Sequence, residues 1–300
     1  MNDNDILLEA GTGEVEIIEF VVDNTNYAIN VVKVREIIDM PESGITKLPN
    51  PNKEIAGLIL CRNEILTLVD LKYILSGSKA SMTNKVIICE FNNIKVAFNI
   101  DEILGVHRIK WSDIRKPDDL SAASLSVGNI LLGDKVILML DFEKIVTDIC
   151  PSCGISEDRL VSVDYKDRSG IQLVLADDSA LIRQLLKDTL TKAGFKKLRV
   201  FDDGEQAFNY LLSLKEKDGA DFIKEAQMLI TDIEMPQMDG LTLTRKIKED
   251  DVLKKLPVVI FSSLITDELR HKGESVGADA QLSKPEVEEL VDKIDHLLNI

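Results

Sequence analysis

Four short apolar runs in the second half of the chain each end on side chains able to do chemistry. Asp177-Asp178 follows Ile171 to Leu175, Asp232 follows Met228 to Ile230, Ser262-Ser263 follows Val258 to Phe261, and Lys284-Pro285 follows Ala280 to Ser283. Carboxylates gathered at one place call for a cation, because two of them ~4 Å apart repel by about 4 kcal/mol at an effective dielectric near 20. An all-oxygen set points to Mg²⁺ rather than zinc. Beside Mg²⁺ and a lysine, a carboxylate can attack a phosphoryl group, since both cations neutralise charge developing on its equatorial oxygens; the product is an aspartyl phosphate. Taken singly these residues have plainer roles. Asp178 or Ser179 could cap a following helix, and Asp232 alone would be unremarkable. Their joint placement carries the functional reading.

That placement depends on the elements around them. From Ile171 onward, strand-like runs (171–175, 198–201, 228–230, 258–261, 280–283) alternate with amphipathic stretches that read as helices (180–193, 205–214, 241–248, 267–276, 287–298). Five β-α units with continuous Val/Ile/Leu strands imply a parallel sheet covered on both faces. Such a sheet collects functional groups just beyond the carboxyl ends of its strands.

The first half has a different pattern. Strand-like runs at 15–22, 27–32, 55–60, 65–69, 86–91, 96–100, 130–132 and 136–140 are broken by Asn, Gly and Pro, as in a small barrel or sandwich. Asp23-Asn24-Thr25-Asn26 and Asn92-Asn93 have the residue types of tight hairpin turns. Glu19-Phe20, a turn, then Ala28-Ile29-Asn30-Val31 is echoed about seventy positions later by Glu90-Phe91, a turn, then Ala97-Phe98-Asn99-Ile100. Val69 to Leu75 is echoed likewise by Leu140 to Val146, so two related β subdomains are expected. The chain therefore divides into an N-terminal tail (1–13), an all-β domain (14–149), a charged linker with Pro, Ser and Gly (150–170) and an α/β domain (171–300).

Composition excludes several classes. With 45% hydrophobic and 29% charged residues, the 300-residue chain suits a globular protein of about two domains. No apolar run approaches the roughly 20 residues of a membrane span, so no membrane insertion is expected. The acidic start Met1-Asn2-Asp3-Asn4-Asp5 lacks the features of a secretory signal, which points to the cytoplasm. Basic and acidic side chains number 18 and 27 in residues 1–170, and 18 and 25 in 171–300. Neither half has the basic surplus of a nucleic-acid binder. Cys61 and Cys89 sit in apolar runs and read as core, whereas Cys150 and Cys153 have redox-motif spacing but read as linker thiols, with no strand-helix unit around them.

Residues 171–300 resemble a two-component response-regulator receiver domain, an α/β flavodoxin-like (βα)5 fold. The resemblance rests on Leu175-Ala176-Asp177-Asp178-Ser179, on Thr231-Asp232-Ile233-Glu234-Met235-Pro236-Gln237-Met238-Asp239-Gly240, on Phe261-Ser262-Ser263 and on Ser283-Lys284-Pro285. It implies that Asp232 is the phosphoacceptor. It also implies that Asp177 and Asp178, with Asp232 and the Glu234 backbone carbonyl, hold Mg²⁺, that Ser262 and Lys284 contact the phosphoryl oxygens, and that the Lys284–Pro285 bond is cis. One departure is Gln281, where the family often has an aromatic switch residue.

Residues 14–149 resemble the CheW-like coupling domain of bacterial chemotaxis proteins, a pair of small five-stranded barrels. Val15 to Phe20, Tyr27-Ala28-Ile29, Val34 to Ile38, Ile45 to Pro49, Gly57 to Asp70 and Val86 to Val106 carry this likeness. Arg62 matches the arginine of the family's Leu-Arg-Gly turn and is expected to contact a partner, but the turn here is Cys61-Arg62-Asn63.

The two domains together resemble the CheV-type chemotaxis coupling proteins. That implies an adaptor recruited to receptor arrays at the inner membrane, with methyl-accepting chemoreceptors and the histidine kinase CheA as partners and phosphorylation of Asp232 as its adaptive control. It would not be an enzyme, beyond accepting and shedding its own phosphoryl group. The alternative is a phosphate sink that drains phosphoryl groups from CheA. A phosphatase acting on a small substrate is disfavoured, because no second acid-base carboxylate at suitable spacing is apparent.

Overall fold

The computed structural model describes residues 11–78, 85–91, 94–116, 125–150, 165–263, 267–284 and 286–300. Of these, residues 15–109 and 116–150 form one unit, and residues 11–14, 110–115 and 165–300 form the other.

In the first half of the chain, residues 14–149, the same run of elements occurs twice. The hairpin of β1 (Glu14–Val22) and β2 (Thr25–Asn30) closes on Asp23 and Asn24, both at positive φ (52° and 63°), the backbone a two-residue turn needs. There follow β3 (Val34–Asp39), β4 (Ile55–Cys61), β5 (Glu64–Val69) and helix α1 (Leu71–Ser76). The second pass runs through β6 (Lys85–Phe91), β7 (Ile94–Ile100), β8 (Glu102–Lys110), the two-residue β9 (Ile114–Arg115), β10 (Ser126–Leu132), β11 (Lys135–Leu140) and α2 (Phe142–Ile149). Both helices start on an aspartate cap: Asp70 accepts from the Tyr73 amide at 3.1 Å, and Asp141 from that of Lys144 at 2.9 Å.

The echo in the sequence is thus an echo in structure, with an exchange. One sheet has the order β3-β6-β7-β5-β4 and the other β8-β1-β2-β11-β10-β9. Replacing each strand of the first by its counterpart in the other pass gives the second, apart from the short β9, which makes that sheet six-stranded rather than five. Each sheet therefore takes its central hairpin from the other repeat. A shared core follows, in which Ile18, Phe20 and Ile29 pack with Val69, Leu71, Phe98, Leu140 and Phe142. Phe142 stands edge-on to Phe98, with centroids 4.7 Å apart.

Strands β3 and β8 were not among the expected runs. Both alternate exposed with less exposed residues and carry charged side chains such as Arg35, Asp39, Glu102 and Arg108 on the wet side, so neither forms an apolar run. Cys61 and Cys89 are free and buried, as expected; Cys150, expected as a thiol, is disulfide-bonded. Its neighbour in the motif, Cys153, lies outside the described residues, as does the Asn92-Asn93 turn.

The second unit is built on β12 (Gln172–Ala176), β13 (Lys197–Phe201), β14 (Met228–Thr231), β15 (Val258–Ser262) and β16 (Ala280–Ser283). All pair in parallel, in the order β13-β12-β14-β15-β16. Their connections carry α3 (Ala180–Lys192), α4 (Gly204–Asp218), α5 (Gly240–Glu249) and α6 (Asp267–Ser275), and α7 (Val287–Leu298) follows β16. On one face Leu173, Leu175 and Ile230 pack under Leu186, Leu190, Leu290 and Ile294; on the other Val174, Leu229 and Val258 pack under Leu211, Leu243 and Ile247. Burial on both faces is why these strands read as unbroken apolar runs.

Ahead of β12, Arg168 is buried in this unit. Its guanidinium grips Asp295 of α7 with two hydrogen bonds (2.7 and 2.6 Å), donates to the Ala193 carbonyl and stacks over Phe195. Hydrogen bonding to Arg168 holds the Asp295 carboxyl below its ordinary value, against the opposing effect of burial. Arg168→Met should lower stability by about 2 kcal/mol in urea unfolding, since it removes the two-hydrogen-bond partner of a partly buried carboxylate and leaves it only Lys166, 3.6 Å away. Because the folded value of Asp295 lies below the unfolded one, its contribution is present above the unfolded value near pH 4 and is lost as pH falls through the depressed folded value. The same variant should therefore show a flatter acid limb in stability measured below about pH 4.

Candidate functional site

At the carboxyl ends of β12, β14 and β16 three charged side chains meet out of water. Asp177, Asp232 and Lys284 are 2%, 6% and 4% exposed. The Lys284 ammonium lies 2.6 Å from Asp232 Oδ2 and 3.0 Å from Asp177 Oδ2. Lys284 is positioned by its own amide, which donates to the Ser262 carbonyl at 3.1 Å and so continues the β15–β16 ladder by one residue. The other oxygen of Asp232 accepts from the Ile233 amide at 2.6 Å, and Asp177 Oδ1 accepts from the Ser179 amide at 2.9 Å.

One ammonium facing two buried carboxylates leaves an excess of negative charge. Burial pushes the Asp177 carboxyl up to about 6; Lys284 opposes this, and the charge of Asp232 adds to it. Asp177 Oδ2 is within ion-pair distance of the ammonium but has no hydrogen bond, an arrangement costly for a buried oxygen. Asp178 is close by: one oxygen each from Asp177, Asp178 and Asp232 can lie within 4.8 Å of one another. A buried, under-satisfied carboxylate oxygen inside an all-oxygen cluster fits a hard divalent cation such as Mg²⁺.

The loop after Asp232 is shaped by close packing. Gly240 opens α5 so near the Asp232 carbonyl that any Cβ there would overlap it, and its amide donates to the Ile233 carbonyl at 2.8 Å. Asp239, which the sequence reading did not single out, is buried and caps α5 by accepting from the amide and hydroxyl of Thr242 (2.9 and 2.5 Å). The Asp-x-x-Thr spacing before an apolar run was the available signal. Of the two cap candidates at α3, Ser179 takes the role, accepting from the Ile182 amide.

The remaining expected residues fall as follows. Ser262 is buried at the end of β15 and Glu234 is buried in the loop after Asp232. Gln281 on β16 folds over α6, where its side-chain amide donates to the Arg270 carbonyl at 2.7 Å and fills the space left by Gly273. Pro285, and with it the bond expected to be cis, lies outside the described residues. Arg62 belongs to the other unit. It stands 81% exposed at the tip of the β4–β5 hairpin, 3.0 Å from Glu36. With φ of 44° at Arg62 and 69° at Asn63, the turn keeps a two-residue form, Asn63 standing where the family has glycine.

Known proteins show the same division. Residues 16–150 match the CheW-like domain family and residues 173–295 the response regulator receiver domain family. The chemotaxis protein CheV3 of Helicobacter pylori is 33% identical over 282 residues, 91% of this chain and 88% of its own length. CheV2 of the same organism is 26% identical, over 91% of this chain and 90% of its own. Among solved structures, the scaffolding protein TtCheW from Thermoanaerobacter tengcongensis is similar over 47% of this chain and 89% of its own, at 21% identity and a TM-score of 0.39. Two domains matched in one order, and a relative at this identity over most of both chains, place this protein in the CheV family of chemotaxis proteins.

Proposed function

We propose that this protein couples methyl-accepting chemoreceptors to the histidine kinase CheA through its CheW-like domain, and that phosphorylation of Asp232 adjusts that coupling. The supporting observation is the buried Asp232 carboxylate, held 2.6 Å from the Lys284 ammonium beside the under-satisfied Asp177, on the same chain as a CheW-like domain. Among the described residues no helix is long and apolar enough to cross a membrane, so recruitment to receptor arrays would run through protein contacts.

In the chemistry of this reading, an Asp232 oxygen attacks the phosphorus of a phosphohistidine. A P–O bond forms, the P–N bond breaks, and the imidazole leaves with the electron pair and takes up a proton. Mg²⁺ held by Asp177, Asp178, Asp232 and the Glu234 carbonyl would neutralise charge on the phosphoryl oxygens. Lys284 already rests on the acceptor oxygen, so its ammonium needs little movement to follow the charge onto the new group, where the Ser262 hydroxyl is the second donor. The buried crevice excludes water and strengthens both interactions.

Incubation with radiolabelled phospho-CheA and Mg²⁺ should label the wild-type chain, and EDTA should abolish labelling. Asp232→Asn should stay folded, being nearly isosteric, yet take up no label; a labelled Asp232→Asn protein would disprove the assignment of the phosphoacceptor.

Arg62 is the proposed partner contact. Its ion pair with Glu36 lies at the surface and is worth at most about 1 kcal/mol. Arg62→Ala should therefore leave the melting temperature within about 2 °C, while weakening binding to CheA or receptor by about tenfold, as loss of an interface arginine does. Unchanged binding to both partners, measured by calorimetry, would remove Arg62 from the interface.

A further inference from the structure

Strand β8 ends its sheet: the order β8-β1-β2-β11-β10-β9 leaves the side away from β1 without a neighbouring strand. Its exposed residues are Glu102, Leu104, Val106, Arg108 and Lys110, at every second position. Leu104 is 43% and Val106 63% exposed. An unpaired edge bearing apolar side chains is a template for another strand, and proteins shield such edges with charge, bulges or short length. The counterpart of β8 in the other repeat, β3, is shielded in all three ways. It has six residues, a register shift between Val34 and Glu36, and charges at Arg35, Glu36 and Asp39. β8 has nine residues, and its middle, Ile103-Leu104-Gly105-Val106, carries no charge. At Gly105 an added Cβ would meet only the His107 ring, at 3.9 Å, so open space adjoins the strand there.

The charges of β8 stand toward its two ends, with opposite sign. Glu102 lies four residues before Val106 and Lys110 four after it, with Arg108 between Val106 and Lys110. Arg108 is held by Glu16 of β1 at 2.8 Å, but neither Glu102 nor Lys110 has an ion pair among the described residues. Set antiparallel against its own copy, with Val106 facing Val106, β8 is self-complementary. Each Glu102 then faces a Lys110 and has an Arg108 diagonal to it, and each Leu104 lies against the aliphatic stem of an Arg108. An in-register parallel pairing would instead set each charge beside its like.

We propose that β8 is a self-association edge, pairing antiparallel with β8 of a second copy about a two-fold axis at Val106. The contact is isologous, so it closes at two chains and does not propagate into a fibre. Backbone hydrogen bonds across the two edges supply cohesion, and the Leu104 and Val106 side chains exclude water beside them. Every group the contact uses stands on β8 itself. The resulting particle carries two CheW-like domains and two Asp232 pockets, and the proposal stands whether or not those pockets take a phosphoryl group.

Sedimentation equilibrium of the full chain should show a reversible dimer with a Kd on the order of 10 μM, since one strand pair buries less than a standard interface. Val106→Asp brings two carboxylates together at the axis and should weaken association at least tenfold. The site is exposed, so the melting temperature should not move. Glu102→Lys should weaken association about fivefold, and adding Lys110→Glu should restore it to within about twofold of the wild type. The register has its own check. Under a mild oxidant Val106→Cys should form an intermolecular disulfide, because the facing Cα atoms are about 5 Å apart. Leu104→Cys, about 13 Å from its own copy, should cross-link no more than the wild type. A chain that stays monomeric at millimolar concentration, an association indifferent to Val106→Asp, or equal cross-linking of the two cysteine variants would each overturn the proposal.

Discussion

One ammonium between two buried carboxylates is the interaction on which the receiver half depends. Isolated, either carboxylate would be too costly to bury as an anion, and the lysine likewise. Together they leave one charge uncompensated and Asp177 Oδ2 without a hydrogen bond. That imbalance makes the pocket receptive to a cation, and the Lys284 ammonium on Asp232 Oδ2 makes it receptive to an anion. Much of the surrounding architecture serves to hold this cluster: a parallel sheet buried on both faces brings three strand ends level, and Gly240 lets α5 begin against the Asp232 carbonyl.

The strand ends were legible in the sequence because the strands are continuous apolar runs, and the chemistry lies where such runs stop. Asp177, Asp232 and Lys284 could therefore be placed together from their positions in the chain alone. Arg168 could not. It sits in a charged stretch that reads as linker, and its partner Asp295 lies on the last helix, 127 positions on, so no local pattern signals the pairing. Strands β3 and β8 escaped because one side of each is wet and charged, which replaces an apolar run with an alternation.

The internal echo of the first half was legible as repetition but not as exchange. Pairing of β2 with β11 and of β7 with β5 joins strands from different repeats, and local sequence carries no trace of which copy a hairpin will join. The exchange has a physical consequence: Phe20, Phe98 and Phe142, from β1, β7 and α2, share one core, so neither repeat can lose its packing without the other.

The central claim is that the state of Asp232 changes coupling itself. It is tested most directly by reconstituting receptor, CheA and this protein as the sole coupling component, and measuring kinase activity with and without beryllofluoride and Mg²⁺. The account predicts that the protein supports receptor-controlled kinase activity, and that the mimic alters that activity in the wild type but not in Asp232→Asn. Kinase activity that is indifferent to the mimic in the wild type, while fluoroberyllate is bound, would contradict it.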